Sequence, residues 1–190
     1  MPRISTSHLF TRKNISAILG GAALLAVCGG VAMAAQDRSA LKIPDGLAFA
    51  EFKGYDRWQT VAVSQTETSI KAILANPVMI EAYRQGIPGN GKPFPEGAKS
   101  VKIEWVKKKN TASPYFVEIP DSLKTLAFMV KDTKRFPDNH GWAFAAWEND
   151  PATDTLKPEA PLSVTGHECG YACHTAVAKS DYVFTAYPRR

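Results

Sequence analysis

The stretch SVKIEWVKKK, residues 100–109, constrains the fold more than any other feature of this sequence. Val101, Ile103 and Trp105 alternate with Lys102, Glu104 and Val106. Because successive side chains of a β-strand point to opposite faces of a sheet, this alternation predicts a half-buried strand. One face of the strand packs on a core, and the other face presents Lys102.

Further strands separated by turns are predicted along most of the chain. YDRWQTVAVS (55–64) indicates a turn that runs into a strand, and TSIKAILA (68–75) is β-like. More strands are expected near Phe116–Ile119 and Leu123–Lys131, through HGWAFAAWE (140–148), and in the closing stretch DYVFTAY (181–187).

Helices are few, and long loops separate some of the strands. Asn76-Pro77 suits an N-cap and a first helical position, so PVMIEAYRQG predicts a short helix that stops at Gly86. CGYACHTAVAKS can open a second helix. The Gly/Pro-rich stretch 87–97 and the Pro-punctuated stretch 149–167 are predicted loops. The pattern predicts an α+β domain, mainly antiparallel sheet with a few flanking helices.

Residues 1–34 have the composition of a secretory signal peptide. Arg3, Arg12 and Lys13 precede an apolar stretch that ends in Ala32-Met33-Ala34. We expect cleavage after Ala34, a single domain over residues 35–190, and export to the periplasm. Three of the 23 basic residues lie in the leader, which leaves 20 against 18 acidic residues in the domain. This balance gives no reason to expect nucleic acid as a partner.

The stretch HECGYACH near the C-terminus is the chemically distinctive motif. Cys169 and Cys173 are separated by three residues, and His174 follows directly, whereas covalent haem sites normally have two intervening residues. Residues four apart lie on one helix face, so two thioether bonds and an imidazole ligand remain feasible. A disulfide, or a zinc site that includes His167, is an alternative reading of the same residues.

Several stretches of the chain resemble the cytochrome P-460 family and its sister group, the beta-type cytochromes c-prime. They are YDRW (55–58), FPEGAKSVKIEW (94–105), FMVKDTKRF (128–136), GWAF (141–144) and ECGYACHTAVAKSDYVFTAYP (168–188). The resemblance implies an antiparallel sheet with flanking helices and one haem c. It also implies thioether bonds at Cys169 and Cys173, with His174 as the iron ligand.

The resemblance further implies hydroxylamine oxidation when a lysine is cross-linked to the porphyrin. Lys102 matches that lysine, and a carboxylate over the iron accepts protons in such relatives. Glu159 is the candidate here, with Asp154 and Glu168 as alternatives. An electron-acceptor cytochrome and a homodimer are also implied. The competing functions are nitric oxide binding without turnover and simple electron transfer, which would need Met79 or Met129 as a second axial ligand.

Other residues are candidates for contact with the haem. Trp142, Phe144 and Phe128 are expected as pocket walls, although aromatic residues on a strand are more often ordinary core. Lys131, Lys134 and Arg135 could pair with the haem propionates. His140 is expected in a loop, and His167 is a second histidine near the motif.

Overall fold

Six antiparallel strands form one sheet in which each strand pairs with the next along the chain. The computed structural model describes residues 35–43, 47–159 and 170–188. The strands are β1 (Gln59–Gln65), β2 (Ser69–Ala75), β3 (Lys99–Lys109), β4 (Glu118–Lys131), β5 (Trp142–Asp150) and β6 (Thr155–Pro158). The α-helices are α1 (Pro77–Arg84) and α2 (Gly170–His174). Short 3-10 helices occur at Arg38–Ala40, Phe49–Phe52, Tyr55–Arg57, Pro137–Asn139 and Thr175–Ser180.

The predicted α+β class is confirmed, and the alternation in β3 puts Val101 and Ile103 on one face and Lys102 and Glu104 on the other, up to the register shift between Glu104 and Trp105. Val101 and Ile103 pack in one hydrophobic cluster, with the 3-10 helix Phe49–Phe52 and the buried Trp147. A second cluster contains the apolar face of α1, together with Phe94, Phe144 and Val183. The sheet is therefore covered on one face by the N-terminal segment and on the other by α1 and the C-terminal segment.

Helix α1 begins and ends close to the predicted residues. The Asn76 side chain accepts a hydrogen bond from the Met79 N–H at 3.0 Å, and Pro77 occupies the first turn. Gly86 follows the helix with a φ of 85°, a conformation that glycine adopts without steric cost. Met79, Ile80, Ala82 and Tyr83 are buried against the sheet. Among the described residues, no helix has the length and apolar character needed to cross a bilayer.

The structure corrects the predicted bounds of β4 and the predicted loop 149–167. The strands expected near Phe116–Ile119 and Leu123–Lys131 are one strand, β4, which passes Pro120 where the pairing with β3 shifts register. A proline is tolerated at such an irregularity because one ladder hydrogen bond is already lost there. Strand β6 lies within the predicted loop 149–167.

The expected closing strand DYVFTAY is wrong. Asp181 and Tyr182 adopt left-handed backbone conformations, with φ of 47° and 64°, and residues 183–188 pair with no strand. The Asp181 side chain contacts Lys131 and the Phe94 N–H, both far away in the sequence. The predicted signal peptide, residues 1–34, lies outside the described residues.

Candidate functional site: a cavity between the sheet and the C-terminal segment

A cavity of about 640 Å³ lies on the face of the sheet that carries Lys102. Helix α1 contributes Met79 and Tyr83 to its wall, and the C-terminal segment contributes Cys173, His174 and Phe184. The volume lies within the range of pockets that enclose small ligands and cofactors. Most of the lining residues are apolar, as is typical of such pockets.

Small side chains on the sheet create the open space. Strand pairing aligns Ala62, Ile73, Lys102, Ala127 and Ala146 in one row across β1 to β5. All five residues line the cavity. The three alanines leave room above the sheet, and Lys102 is the one long charged side chain of this row.

His174 presents an imidazole to the cavity in a defined orientation. Its Nδ1 lies 2.6 Å from the backbone oxygen of Tyr182. A carbonyl oxygen only accepts hydrogen bonds, so Nδ1 carries the proton and Nε2 keeps its lone pair. Burial lowers the pKa of His174, and the charge of Lys102 adds to this lowering, so the neutral ring is favoured. His174 is therefore suited to bind a metal through Nε2.

The cysteine motif is described only from Gly170 onward. Cys173 is a free, exposed cysteine that borders the cavity next to His174. Cys169, Glu168 and His167 lie outside the described residues. The described ranges contain no group of three or more His, Cys, Asp or Glu residues that could hold a metal ion. The zinc and disulfide alternatives both depend on residues outside those ranges.

Gly170 allows the motif to pack closely on β5. A Cβ atom at this position would lie 2.6 Å from Cβ and 2.9 Å from Cγ of Phe144. The Phe144 ring is in turn 4.6 Å from the His174 ring, centroid to centroid. Phe144 is thus a wall of the cavity.

Lys102 reaches a carboxylate that the sequence did not single out. Its Nζ lies 3.9 Å from Oε2 of Glu104, which also pairs with Lys71 at 3.9 Å and with Lys124 at 3.1 Å. Burial alone would raise the pKa of Glu104, but hydrogen bonds from Ser69 and Lys124, with the nearby lysine charges, hold it below the ordinary value. Only the pairing of β2, β3 and β4 brings these side chains together.

The two described carboxylate candidates differ in position. Glu159 lines the cavity, and its N–H donates to the Ala146 oxygen at 2.9 Å, which holds the residue at the end of β6. Asp154 lies in the exposed turn before β6, pairs with Arg38 at 3.6 Å and does not line the cavity. Glu159 is therefore the described candidate that the fold brings to Lys102 and His174.

Trp142 lies outside the cavity lining, and the ring of Phe128 packs away from the cavity. Trp142 is fully buried, packs against Phe94 and is not part of the lining, because it lies beyond Phe144 on the same strand face. Phe128 borders the cavity, but its ring packs on Phe49, Phe52 and Trp147, in the cluster on the opposite face of the sheet.

The basic residues expected at the haem propionates do not line the cavity. Lys131 is buried in an ion pair with Asp181, and Lys134 and Arg135 border a separate surface depression.

His140 lies in a turn, as expected, with its ring stacked on Tyr182. Both candidate axial methionines, Met79 and Met129, do line the cavity.

The mostly apolar cavity is lined by an imidazole and, next to it, a cysteine thiol, side chains of the kind that can hold a haem. The chain belongs to the cytochrome P460 family, because the sequence model described as Cytochrome P460 matches residues 52–185. A search of curated proteins finds no match. Membership of the family makes the chain a cytochrome with a haem iron.

The described residues fit a haem. His174 offers a free Nε2 lone pair, Cys173 offers a thiol one residue before it, and the alanine row leaves space for a flat ring. Because Gly170 has no side chain, the backbone of the motif can lie directly against the Phe144 side chain. His174 would ligate the iron, and Cys173 would bond to one edge of the porphyrin.

Proposed function

We propose that the chain is an exported, periplasmic c-type cytochrome that oxidises hydroxylamine at a haem cross-linked to Lys102. Cys169 and Cys173 carry the thioether bonds, and His174 ligates the iron. The observation that supports this proposal most is that Lys102, Glu159, Cys173 and His174 all line one cavity. The products are nitrous oxide or nitric oxide, and the electrons pass to an acceptor cytochrome.

In this proposal each residue has one task. His174 holds the cofactor through Nε2 while Nδ1 stays bonded to Tyr182. Lys102 adds a second covalent anchor from the centre of the sheet. Glu159 accepts protons that the substrate loses at the cavity. When bound, the haem supplies a metal that coordinates the substrate and a macrocycle that takes up electrons.

Lys102 decides between this function and the main alternative. The protein is produced with a haem-maturation system, digested, and the haem peptides are weighed. We expect haem on the peptide with the two cysteines and also on the peptide with Lys102, with a red-shifted band in the reduced spectrum. The Lys102→Arg variant loses the second attachment.

Lys71 is the matched control because it also lines the cavity and lies 3.9 Å from the same carboxylate, Glu104. Lys71→Arg keeps the Lys102 attachment. Haem on the cysteines alone in the unmutated protein would reject the cross-link and hydroxylamine oxidation together. A colourless exported protein would reject the haem c proposal as a whole.

The second candidate function is capture of nitric oxide without turnover. The ion pair between Lys102 and Glu104 favours it, since an amine engaged as an ammonium has no lone pair for bond formation. The apolar lining of the cavity also suits a small neutral ligand. The mass measurement above distinguishes the two candidates.

A further inference from the structure

A nearly buried ion pair joins the end of β4 to the C-terminal segment. The Lys131 Nζ lies 2.9 Å from Oδ1 and 3.1 Å from Oδ2 of Asp181. Only 5% of the Lys131 side chain and 11% of the Asp181 side chain are exposed. The Lys131 ammonium also donates a hydrogen bond to the backbone oxygen of His140, at 2.9 Å. Neither charge contacts the haem cavity.

Asp181 is also tied to the chain before β3. Its Oδ2 accepts a hydrogen bond from the Phe94 N–H at 2.7 Å. Asp181 and Tyr182 both have left-handed backbones, with φ of 47° and 64°. This conformation is unfavourable for a tyrosine, so surrounding contacts must hold it. The Asp181 carboxylate supplies such contacts from two sides.

The residue held in this way carries the oxygen that orients His174. The Tyr182 backbone oxygen accepts the Nδ1–H of His174 at 2.6 Å. The Tyr182 ring stacks on His140, with centroids 5.0 Å apart, and the oxygen of His140 accepts from Lys131. Lys131 therefore supports Tyr182 twice, through its neighbour Asp181 and through its stacking partner His140.

We propose that the Lys131–Asp181 pair is a positioning device for the proximal ligand, which sets the donor strength of His174 through the Tyr182 oxygen. This inference rests on the proposed role of His174 as iron ligand. A strong hydrogen bond from Nδ1 makes an imidazole a better electron donor at Nε2. A stronger donor favours the ferric state and strengthens the bond to iron. Loosening the pair has the opposite effect.

The test compares two variants of the haem-loaded protein. Asp181→Asn removes the charge but keeps an acceptor oxygen, and asparagine tolerates the left-handed conformation. The double variant Lys131→Met with Asp181→Asn removes both charges and so leaves no unpaired buried ion. The iron–histidine stretching frequency is measured by resonance Raman on the ferrous protein, and the midpoint potential by spectroelectrochemistry.

The matched control is Glu118→Gln. Glu118 pairs with Lys107 at 2.6 Å on the β3–β4 hairpin, also in a partly buried setting, and does not line the cavity. We expect both test variants to shift the stretching frequency down and the midpoint potential up. We expect Glu118→Gln to change neither readout.

The outcomes separate this inference from the proposed function. If the unmutated ferrous protein shows no iron–histidine band, the proposed five-coordinate haem with His174 as its one axial ligand fails. If the band is present and both test variants keep its frequency and the potential, the ligation stands and the positioning role is overturned. Variants that unfold at a lower temperature with both readouts unchanged also overturn it, because the pair would then only support the fold.

Discussion

At the residue scale, the two nitrogen atoms of His174 have separate tasks. Nδ1 donates to a backbone oxygen, and Nε2 is left for the cavity. A carbonyl partner of this kind determines which nitrogen is protonated and holds the ring plane. The sequence motif predicts His174 as the iron ligand, but no spacing rule predicts its hydrogen-bond partner, Tyr182.

Glu159 is the residue whose replacement tests proton transfer. Loss of a positioned general base usually slows a reaction by about 10²–10⁴-fold, so we expect Glu159→Gln to slow hydroxylamine oxidation by that order. Substrate binding, followed by the spectral change on addition of hydroxylamine, is retained. Asp154→Asn in the exposed turn leaves the rate unchanged. If Glu159→Gln and Asp154→Asn changed the rate equally, Glu159 would not be the proton acceptor.

Gly170 is the residue whose lack of a side chain the cavity requires. In Gly170→Ala the added methyl group meets Phe144 at 2.6 Å, and overpacking of this kind costs about 1–3 kcal/mol. We therefore expect less covalently bound haem per protein, measured by absorbance against protein concentration. Ala172→Ser, at an exposed position of the same motif, is the control. Equal haem content in Gly170→Ala and the unmutated protein would show that the contact is relieved by a shift of the helix.

At the scale of elements, the register of β2, β3 and β4 gathers charges that lie far apart in the sequence. Lys71, Glu104 and Thr125 are directly paired across the three strands, and Lys124 and Lys102 flank them. A lone buried carboxylate would be costly, but here three lysines and Ser69 compensate for its burial. The paired residues Lys71, Glu104 and Thr125 form the neighbouring row on the same face of the sheet, two residues along β3 from Lys102.

Glu104 gives the sheet a dependence on pH with a defined sign. Its pKa is lowered in the folded protein, so it stabilises the fold above its unfolded pKa, and the contribution is lost as the pH falls through the folded pKa. We expect Glu104→Gln to lower the free energy of unfolding at pH 7 by about 1–3 kcal/mol. Urea titrations between pH 7 and pH 2 measure the difference.

The difference in the free energy of unfolding between Glu104→Gln and the unmutated protein becomes smaller toward acidic pH, because Glu104 is then protonated in both the folded and the unfolded chain. Glu67→Gln, in the exposed turn between β1 and β2, has no such effect. A difference that stays constant over the whole range would show that the charge of Glu104 is not responsible.

At the scale of the whole molecule, the sheet separates a structural face from a functional face. The first cluster, which includes Trp147 and Phe128, contains no residue of the C-terminal motif. The cavity with Lys102, Glu159 and His174 lies on the other face. Replacements of rings in the first cluster are therefore expected to affect stability more than the cavity, whereas Met79, Phe144 and Val183 of the second cluster also line it.

Trp147 tests this separation. It is fully buried and its ring contacts Phe49 and Phe128, so Trp147→Ala should destabilise the fold by about 3–5 kcal/mol. The reduced spectrum and the midpoint potential of the folded variant are expected to stay unchanged. Thermal unfolding measures the first effect, and a change in spectrum or potential would contradict the second.

Local pattern was sufficient for the parts of the fold that depend on neighbouring residues. The alternation in β3 predicted its two faces, and Asn76-Pro77 predicted the start of α1, because side-chain direction and capping are decided within a few residues. The closing strand failed for the opposite reason. Asp181 is held by Lys131 and Phe94, which lie 50 and 87 positions away, and those contacts overrule the β-like composition.

By itself, the sequence determined the α+β class, the motif with Cys173 and His174, and the face of β3 that carries Lys102. Only the tertiary structure decided which of these residues share a cavity, that Glu159 lies there and Asp154 does not, and that Tyr182 orients the imidazole. Strand propensity and motif spacing act over a few residues. The cavity depends on strand register and on contacts between segments far apart in the chain, which are determined only when the whole core packs.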